Sequence, residues 1–136
     1  MKSLVTGGAG FIGSNLVDQL LELGHEVVVI DNEYSDAHDQ FYWNDNASNH
    51  KYDIRDYENT RPLYDEVDYV FHTAAEARIQ PAILNPIEAV SVNCVGTVTV
   101  LQCAREAGVQ KVIYSSTSSG YGFNEPPNMK TNVMIA

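Results

Sequence analysis

The apolar residues of this chain fall into short runs that alternate with amphipathic stretches. Leu4 and Val5 open a strand over about residues 3 to 6, and Ile12, Leu16, Leu20 and Leu23 then recur at helical spacing, predicting a helix over about 12 to 23. The continuous run Val27-Val28-Val29-Ile30 reads as a buried strand ending at Asp31. From there to His50 no helical period holds. Tyr34, Phe41, Tyr42 and Trp43 lie among Asn, Asp and Ser, which predicts a loop with local turns. A short strand ending near Asp53-Ile54, a helix from Tyr57 to Tyr64 and the strand Tyr69-Val70-Phe71-His72 follow. A long helix is expected from Pro86, where proline suits a first turn, to Gly108, a natural C-terminal cap. Its Val92, Val95, Val98, Val100, Leu101 and Ala104 make more than one apolar stripe, so two faces are expected to be covered. The last strand is Lys111-Val112-Ile113-Tyr114, running into Ser115-Ser116-Thr117-Ser118-Ser119.

Such alternation predicts an α/β fold with helices on both faces of a parallel sheet. The first turn adds chemistry. Val5-Thr6-Gly7-Gly8-Ala9-Gly10-Phe11-Ile12-Gly13 sits between strand and helix, and its glycines match G-x-G-x-x-G at Gly8, Gly10 and Gly13 and a wider spacing at Gly7, Gly10 and Gly13. A dinucleotide's pyrophosphate needs this arrangement, because a backbone without Cβ can approach it and N–H groups at a helix N-terminus meet its charge. Asp31 stands about twenty residues on, where a carboxylate would accept both ribose hydroxyls. A strand, glycine turn, helix, strand and acid in register give a Rossmann-like three-layer sandwich of about five strands in the order 3-2-1-4-5. It is expected to occupy residues 1–122, followed by an extended tail over 123–136 that carries Pro126-Pro127.

Charge narrows the ligand. The chain has 136 residues and a formal net charge of −10, which argues against nucleic acid and anionic membrane surfaces as partners. Phosphates must then be held mainly by backbone N–H groups. No Lys or Arg stands between Lys2 and Lys51, and Asp31 would repel a ribose 2′-phosphate, so NAD is favoured over NADP unless a cation such as Arg55 is brought in from elsewhere. Asp53 could accept from an adenine amine and Ile54 could pack on the ring, although an ordinary strand-to-helix turn would carry the same residues, and the loop with Tyr34 and Phe41 is expected near this adenine side. Cys94 and Cys103 fall about 13 Å apart along one helix and cannot pair, which fits a cytoplasmic protein. No eighteen-residue apolar run and no charged-then-apolar leader is seen, so neither anchor nor signal is expected. His25, His38, His50 and His72 show no metal spacing, and no Ser-His-Asp or Cys-His arrangement is found.

Six stretches in order make the reading more specific: the glycine turn, Asp31-Asn32, Asp53-Ile54-Arg55-Asp56, His72-Thr73-Ala74-Ala75, Val92-Asn93-Cys94-Val95-Gly96-Thr97 and Ser115 through Gly122. Together they resemble the extended short-chain dehydrogenase/reductases, and within them the NAD-dependent nucleotide-sugar epimerase/dehydratase family of the UDP-glucose 4-epimerase type. The resemblance implies that Gly7, Gly10 and Gly13, with Phe11 and Ile12 between them, meet the pyrophosphate. It implies that Asp31 and Asn32 meet the adenosine ribose, Asp53 and Ile54 the adenine, and that Thr73, Ala74 and Ala75 lie along the cofactor. Thr117 falls where the family keeps a hydroxyl that contacts the sugar hydroxyl being oxidised; the plainer reading is a polar residue at a strand end. Asn93 joins the cofactor-binding set as a side chain that could bond backbone near a helix irregularity, or be an exposed helix amide. Ser118 and Ser119 stand where the dehydratase branch has an Asp-Glu pair, which disfavours elimination of water. Pro81 and Ala82 stand where the family often has Arg-Ser near the substrate.

The family mechanism also needs Tyr-x-x-x-Lys, in which the lysine lowers the phenol pKa one helical turn away. Lysines occur at 2, 51, 111 and 130, and Ala47, Ala107 and Pro126 stand four before the last three. Tyr121 is the nearest phenol and, without a lysine one turn on, reads as structural. The expectation is therefore a minimal or truncated form of a nucleotide-sugar epimerase lacking this pair and the substrate domain, with a non-catalytic NAD or adenine-nucleotide-binding module as the alternative. In the relatives the long helix forms the dimer contact, so a homodimer or hetero-oligomer is expected, with a UDP-sugar as a further ligand.

Overall fold

The computed structural model describes residues 1–35 and 40–117. His38, Ser118, Ser119, Tyr121 and the tail expected over 123–136 lie outside the described residues. The sheet is parallel, with five strands in the order β3-β2-β1-β4-β5: β1 Lys2–Thr6, β2 Glu26–Asp31, β3 Ser48–Lys51, β4 Tyr69–His72 and β5 Lys111–Tyr114. The order expected from sequence is the order found. The register brings Thr6 beside Ile30 and His72, and Asp31 beside Lys51, so all of these residues gather at the C-terminal edge of the sheet.

Two cores flank the sheet because strands buried on both faces present side chains alternately to each. Leu4, Val28, Ile30 and Val70 face Tyr64, Val100, Cys103 and Ala104 on one side. Val5, Val27 and Val29 face Val17 and Leu20 of helix α1, Phe11–Glu22, on the other. The buried face of α1 is Gly13, Ser14, Val17 and Leu20, whereas Ile12 and Leu23 are exposed, at 70% and 75%. The stripe expected from helical spacing thus misplaces the two end residues. Ile12 sits in the first turn above the sheet edge, where the turn Gly7–Gly10 lifts the chain away from the core.

Three further elements differ from expectation for local reasons. β3 stops at Lys51, two residues early, because Asp53 Oδ1 accepts the Arg55 N–H at 2.8 Å and closes a turn. The helix expected from Tyr57 to Tyr64 is α only over Tyr57–Thr60 (α2) and tightens to 3₁₀ over Arg61–Tyr64, where Pro62 has no N–H to donate. The long helix is preceded by a short one, α3 Ile79–Leu84, and is itself composite: α4 Pro86–Val90, a π-helical turn Ser91–Gly96, and α5 Thr97–Ala107, capped by Gly108 at φ 72°.

The composite helix covers the sheet with one face only. Val92, Val100, Cys103 and Ala104 are buried, while Val90, Val95, Val98 and Leu101 stay 47–64% exposed, so the second apolar stripe has no cover among the described residues. Pro86–Ala107, with a mean hydropathy of 1.4 in its most apolar window, is the one helical stretch among the described residues long and apolar enough to cross a membrane. It is not an uninterrupted apolar run, because Asn93, Thr97, Thr99 and Gln102 break it. A helix that packs one face on a sheet has the same length and composition.

Candidate functional site

The C-terminal edge of the sheet holds a cleft of ≈ 340 Å³, with the glycine turn on one side and the segment after β4 on the other. It is mostly apolar, as small-molecule sites are. Gly7, Gly10, Phe11, Ile12, Gly13, Asp31, Asn32, Asp53, Ile54, Thr73, Ala74 and Ala75 all line it, so twelve residues singled out from sequence are brought together.

Close packing explains the glycines. Gly7 has φ 69°, and a Cβ there would lie 2.8 Å from the Ala74 backbone. A Cβ on Gly13 would lie 2.1 Å from the Gly7 carbonyl oxygen, so α1 can sit down on the turn only without one. Gly10 caps α1 with ordinary extended angles, φ −78° and ψ 176°. Its conformation alone does not require glycine.

No side chain caps α1. The first helical N–H to find a carbonyl is that of Ser14, 2.9 Å from Gly10 O, which leaves the first-turn N–H groups of Phe11, Ile12 and Gly13 without an intrahelical partner. They end the helix on its positive pole, where an anion is stabilised. The carboxylate of Asp31, 9% exposed, is fixed from two sides. Oδ2 accepts the Ala9 N–H at 3.1 Å and Oδ1 the Glu33 N–H at 2.7 Å, and each oxygen keeps a lone pair for a hydroxyl. The donor set thus fits a dinucleotide: N–H groups for phosphate, a held carboxylate for ribose, and apolar walls for the bases.

Asp53 is arranged differently. Its four acceptor positions are filled by Arg55 N (2.8 Å), Arg55 Nε (2.9 Å), Arg55 Nη2 (2.6 Å) and Asn32 Nδ2 (3.0 Å). An adenine amine could bond it only by replacing Asn32. The Arg55 hydrogen bond holds the Asp53 carboxyl below its usual range. Arg55 also pairs with Glu88 at 2.9 Å and bonds Ser91 Oγ at 2.9 Å, so the cation considered for a 2′-phosphate is spent between two carboxylates.

Ile54 is buried against the π-helical turn, where a Cβ on Gly96 would strike its Cδ1 at 2.5 Å. Asn93 does not line the cleft. Its amide clamps the Glu76 backbone in both directions, each bond 2.9 Å, and supports the cleft wall from behind. Thr117 lies exposed beyond β5 and also outside the lining.

Several residues of the site escape the sequence reading. Tyr52 and Val92 complete the apolar walls beside Tyr34 and Phe41 of the loop expected near the adenine side, and Glu76, Ala77 and Arg78 extend the wall after β4. Glu33 holds φ 56°, uncommon for a residue with a side chain, while bonding Trp43 Nε1 at 2.8 Å and Lys51 Nζ. It ties the loop after β2 to the end of β3. The only available signal is its place two after Asp31.

The sequence matches the NAD dependent epimerase/dehydratase family over residues 3–134. It is 36% identical over 122 residues to UDP-glucuronic acid decarboxylase 1 of Danio rerio, covering 89% of this chain and 28% of that protein. The fold superposes with a TM-score of 0.87 on UDP-glucose 4-epimerase from Thermotoga maritima with UDP-glucose, at 37% identity over 98% of this chain and 44% of the other. The Thermus thermophilus UDP-glucose 4-epimerase complex with NAD gives 0.83 at 33% identity, covering 96% and 43%. The chain therefore spans less than half the length of these relatives.

Proposed function

Because this chain belongs to the NAD-dependent epimerase/dehydratase family, we propose that its cleft holds NAD and that it is the cofactor-binding part of a nucleotide-sugar epimerase. One observation carries the proposal: the uncapped first turn of α1 and the Asp31 carboxylate meet at one cleft edge, linked by the Ala9 N–H at 3.1 Å. When bound, NAD supplies a hydride acceptor and donor for a sugar carbon. The first-turn N–H groups bind pyrophosphate, Asp31 the adenosine ribose and Asn32 with Ile54 the adenine end. Thr73, Ala74 and Ala75 line the wall along the cofactor, and Thr117 offers a hydroxyl to the sugar.

A second reading is an NAD or adenine-nucleotide module without turnover of its own, which the same cleft would serve equally well. Calorimetric titration separates cofactor choice from catalysis: NAD is expected to bind at least about tenfold tighter than NADP, about 1.4 kcal/mol. The reverse order would sink the Asp31 argument. With NAD and UDP-glucose or its N-acetylated counterpart, formation of the epimer selects the enzyme, and binding without epimer or NADH selects the module.

The exposed stripe Val90, Val95, Val98 and Leu101 supports self-association through the composite helix. Sedimentation is expected to show a dimer that Leu101→Glu returns to monomer; a wild-type monomer at high concentration would count against it. Two free thiols, one exposed and one buried, support a reducing, cytoplasmic setting.

A further inference from the structure

Behind the wall of the cleft, a line of polar groups is bonded in a single direction. The Thr97 hydroxyl donates its only proton to the Asn93 carbonyl at 2.7 Å, so toward His72 Nε2, 3.0 Å away, it can only accept. Nε2 therefore carries the ring proton and Nδ1 is bare. The Thr6 hydroxyl, 2.7 Å from Nδ1, must donate to it, and Thr6 Oγ1 keeps a lone pair that faces the Ala74 N–H at 3.4 Å. The line reads Ala74 to Thr6 to His72 to Thr97 to Asn93, every donor pointing the same way. His72 is 2% exposed, so water does not substitute for a missing link.

Both ends of the line hold the cleft. Thr6 leads into Gly7, and its carbonyl takes the Thr73 N–H at 3.2 Å and the Thr73 hydroxyl at 2.7 Å. Asn93 grips the Glu76 backbone at the other end of the same segment. Residues 73–76 are thus hung from β1 at one end and from the π-helical turn at the other, with the imidazole spanning the gap.

We propose that His72 is a positioning residue for the cofactor cleft, its neutral Nε2–H tautomer holding the glycine turn and the wall of residues 73–76 at the separation a dinucleotide requires. The proposal rests on reading the cleft as an NAD site, and its test has parts that do and do not need NAD. Long-range ¹H–¹⁵N spectra of the whole chain at neutral pH should show His72 protonated at Nε2 and bare at Nδ1; the opposite tautomer overturns the proposal. Thr97→Val, which keeps shape and removes the acceptor, should speed amide exchange at Ala74 and Glu76 at least tenfold and weaken NAD about tenfold. Thr97→Ser should restore both to within about threefold. Unchanged exchange in a folded Thr97→Val variant, or failure of Thr97→Ser to rescue it, overturns the positioning role whether or not NAD binds. If wild type binds no NAD while the tautomer and exchange results hold, the cofactor reading fails and the held wall stands.

Discussion

Replacing Gly13 with alanine is expected to abolish measurable NAD binding and to destabilise the fold. The added Cβ would lie 2.1 Å from Gly7 O and 2.7 Å from Gly8 Cα, and both obstacles are backbone, so no side chain can turn aside. Helix α1 must lift from the turn. In an exposed helix interior alanine would gain about 1 kcal/mol over glycine. Here overpacking costs about 1–3 kcal/mol and outweighs it. The lift also carries the first-turn N–H groups away from the position the turn defines, so NAD affinity should fall at least about a hundredfold, near 2.7 kcal/mol. Gly24→Ala is the control: Gly24 has φ 79° and nothing within 4 Å of an added Cβ, so it bears backbone strain alone, about 1 kcal/mol, with NAD binding retained. Calorimetry and urea unfolding on both variants check this. Wild-type affinity in Gly13→Ala would mean that the helix is not seated on the turn.

Residues 4 to 31 are legible in the sequence because each segment carries its own signal. β2 is buried on both faces and reads as the unbroken apolar run Val27 to Ile30, β1 shows the apolar pair Leu4-Val5 directly before the glycine turn, and the glycines and Asp31 follow from a single βαβ unit. β3 carries a weaker signal, enough to place a short strand but not its end. Its residues Ser-Asn-His-Lys form an edge strand only because β2 offers them a ladder, and nothing in their own pattern marks Lys51 as its end. The supports of the site are hidden for the same reason. Arg55 meets Glu88 and Ser91, Gly96 makes room for Ile54, and His72 reaches Thr97, all across separations that only the sheet order closes. The π-helical turn has a faint trace in Asn93 and Gly96, but its cause is tertiary. Asn93 must reach Glu76 while Val92 faces the cleft, and the wider turn lets adjacent residues do both.

Acid should weaken this protein through His72 before its carboxylates titrate. Burial pushes the imidazole from its ordinary 6.5 down to about 4. The groups that meet the ring are the hydroxyls of Thr6 on β1 and Thr97 on α5 and the ring of Tyr114 on β5, centroids 5.6 Å apart, and none of these carries a compensating negative charge. The unfolded chain takes up a proton as pH falls through 6.5, while the native imidazole refuses it until about 4. Protons therefore favour the unfolded state across that window: the stability present above pH 6.5 is lost progressively as pH falls toward 4. At about 1.4 kcal/mol per unit, the loss between pH 7 and 5 is about 2 kcal/mol. Asp53, held low by Arg55, acts in the same direction but below the ordinary carboxylate range, so the two contributions separate on the pH axis. Urea unfolding at pH 7 and pH 5 should show this loss in wild type and a smaller one, by the same 2 kcal/mol or so, in His72→Asn, which cannot titrate but can still accept from Thr6. Equal losses in the two proteins would mean that the imidazole protonates freely in the native state, and that the bonds to Thr6 and Thr97 survive its charge.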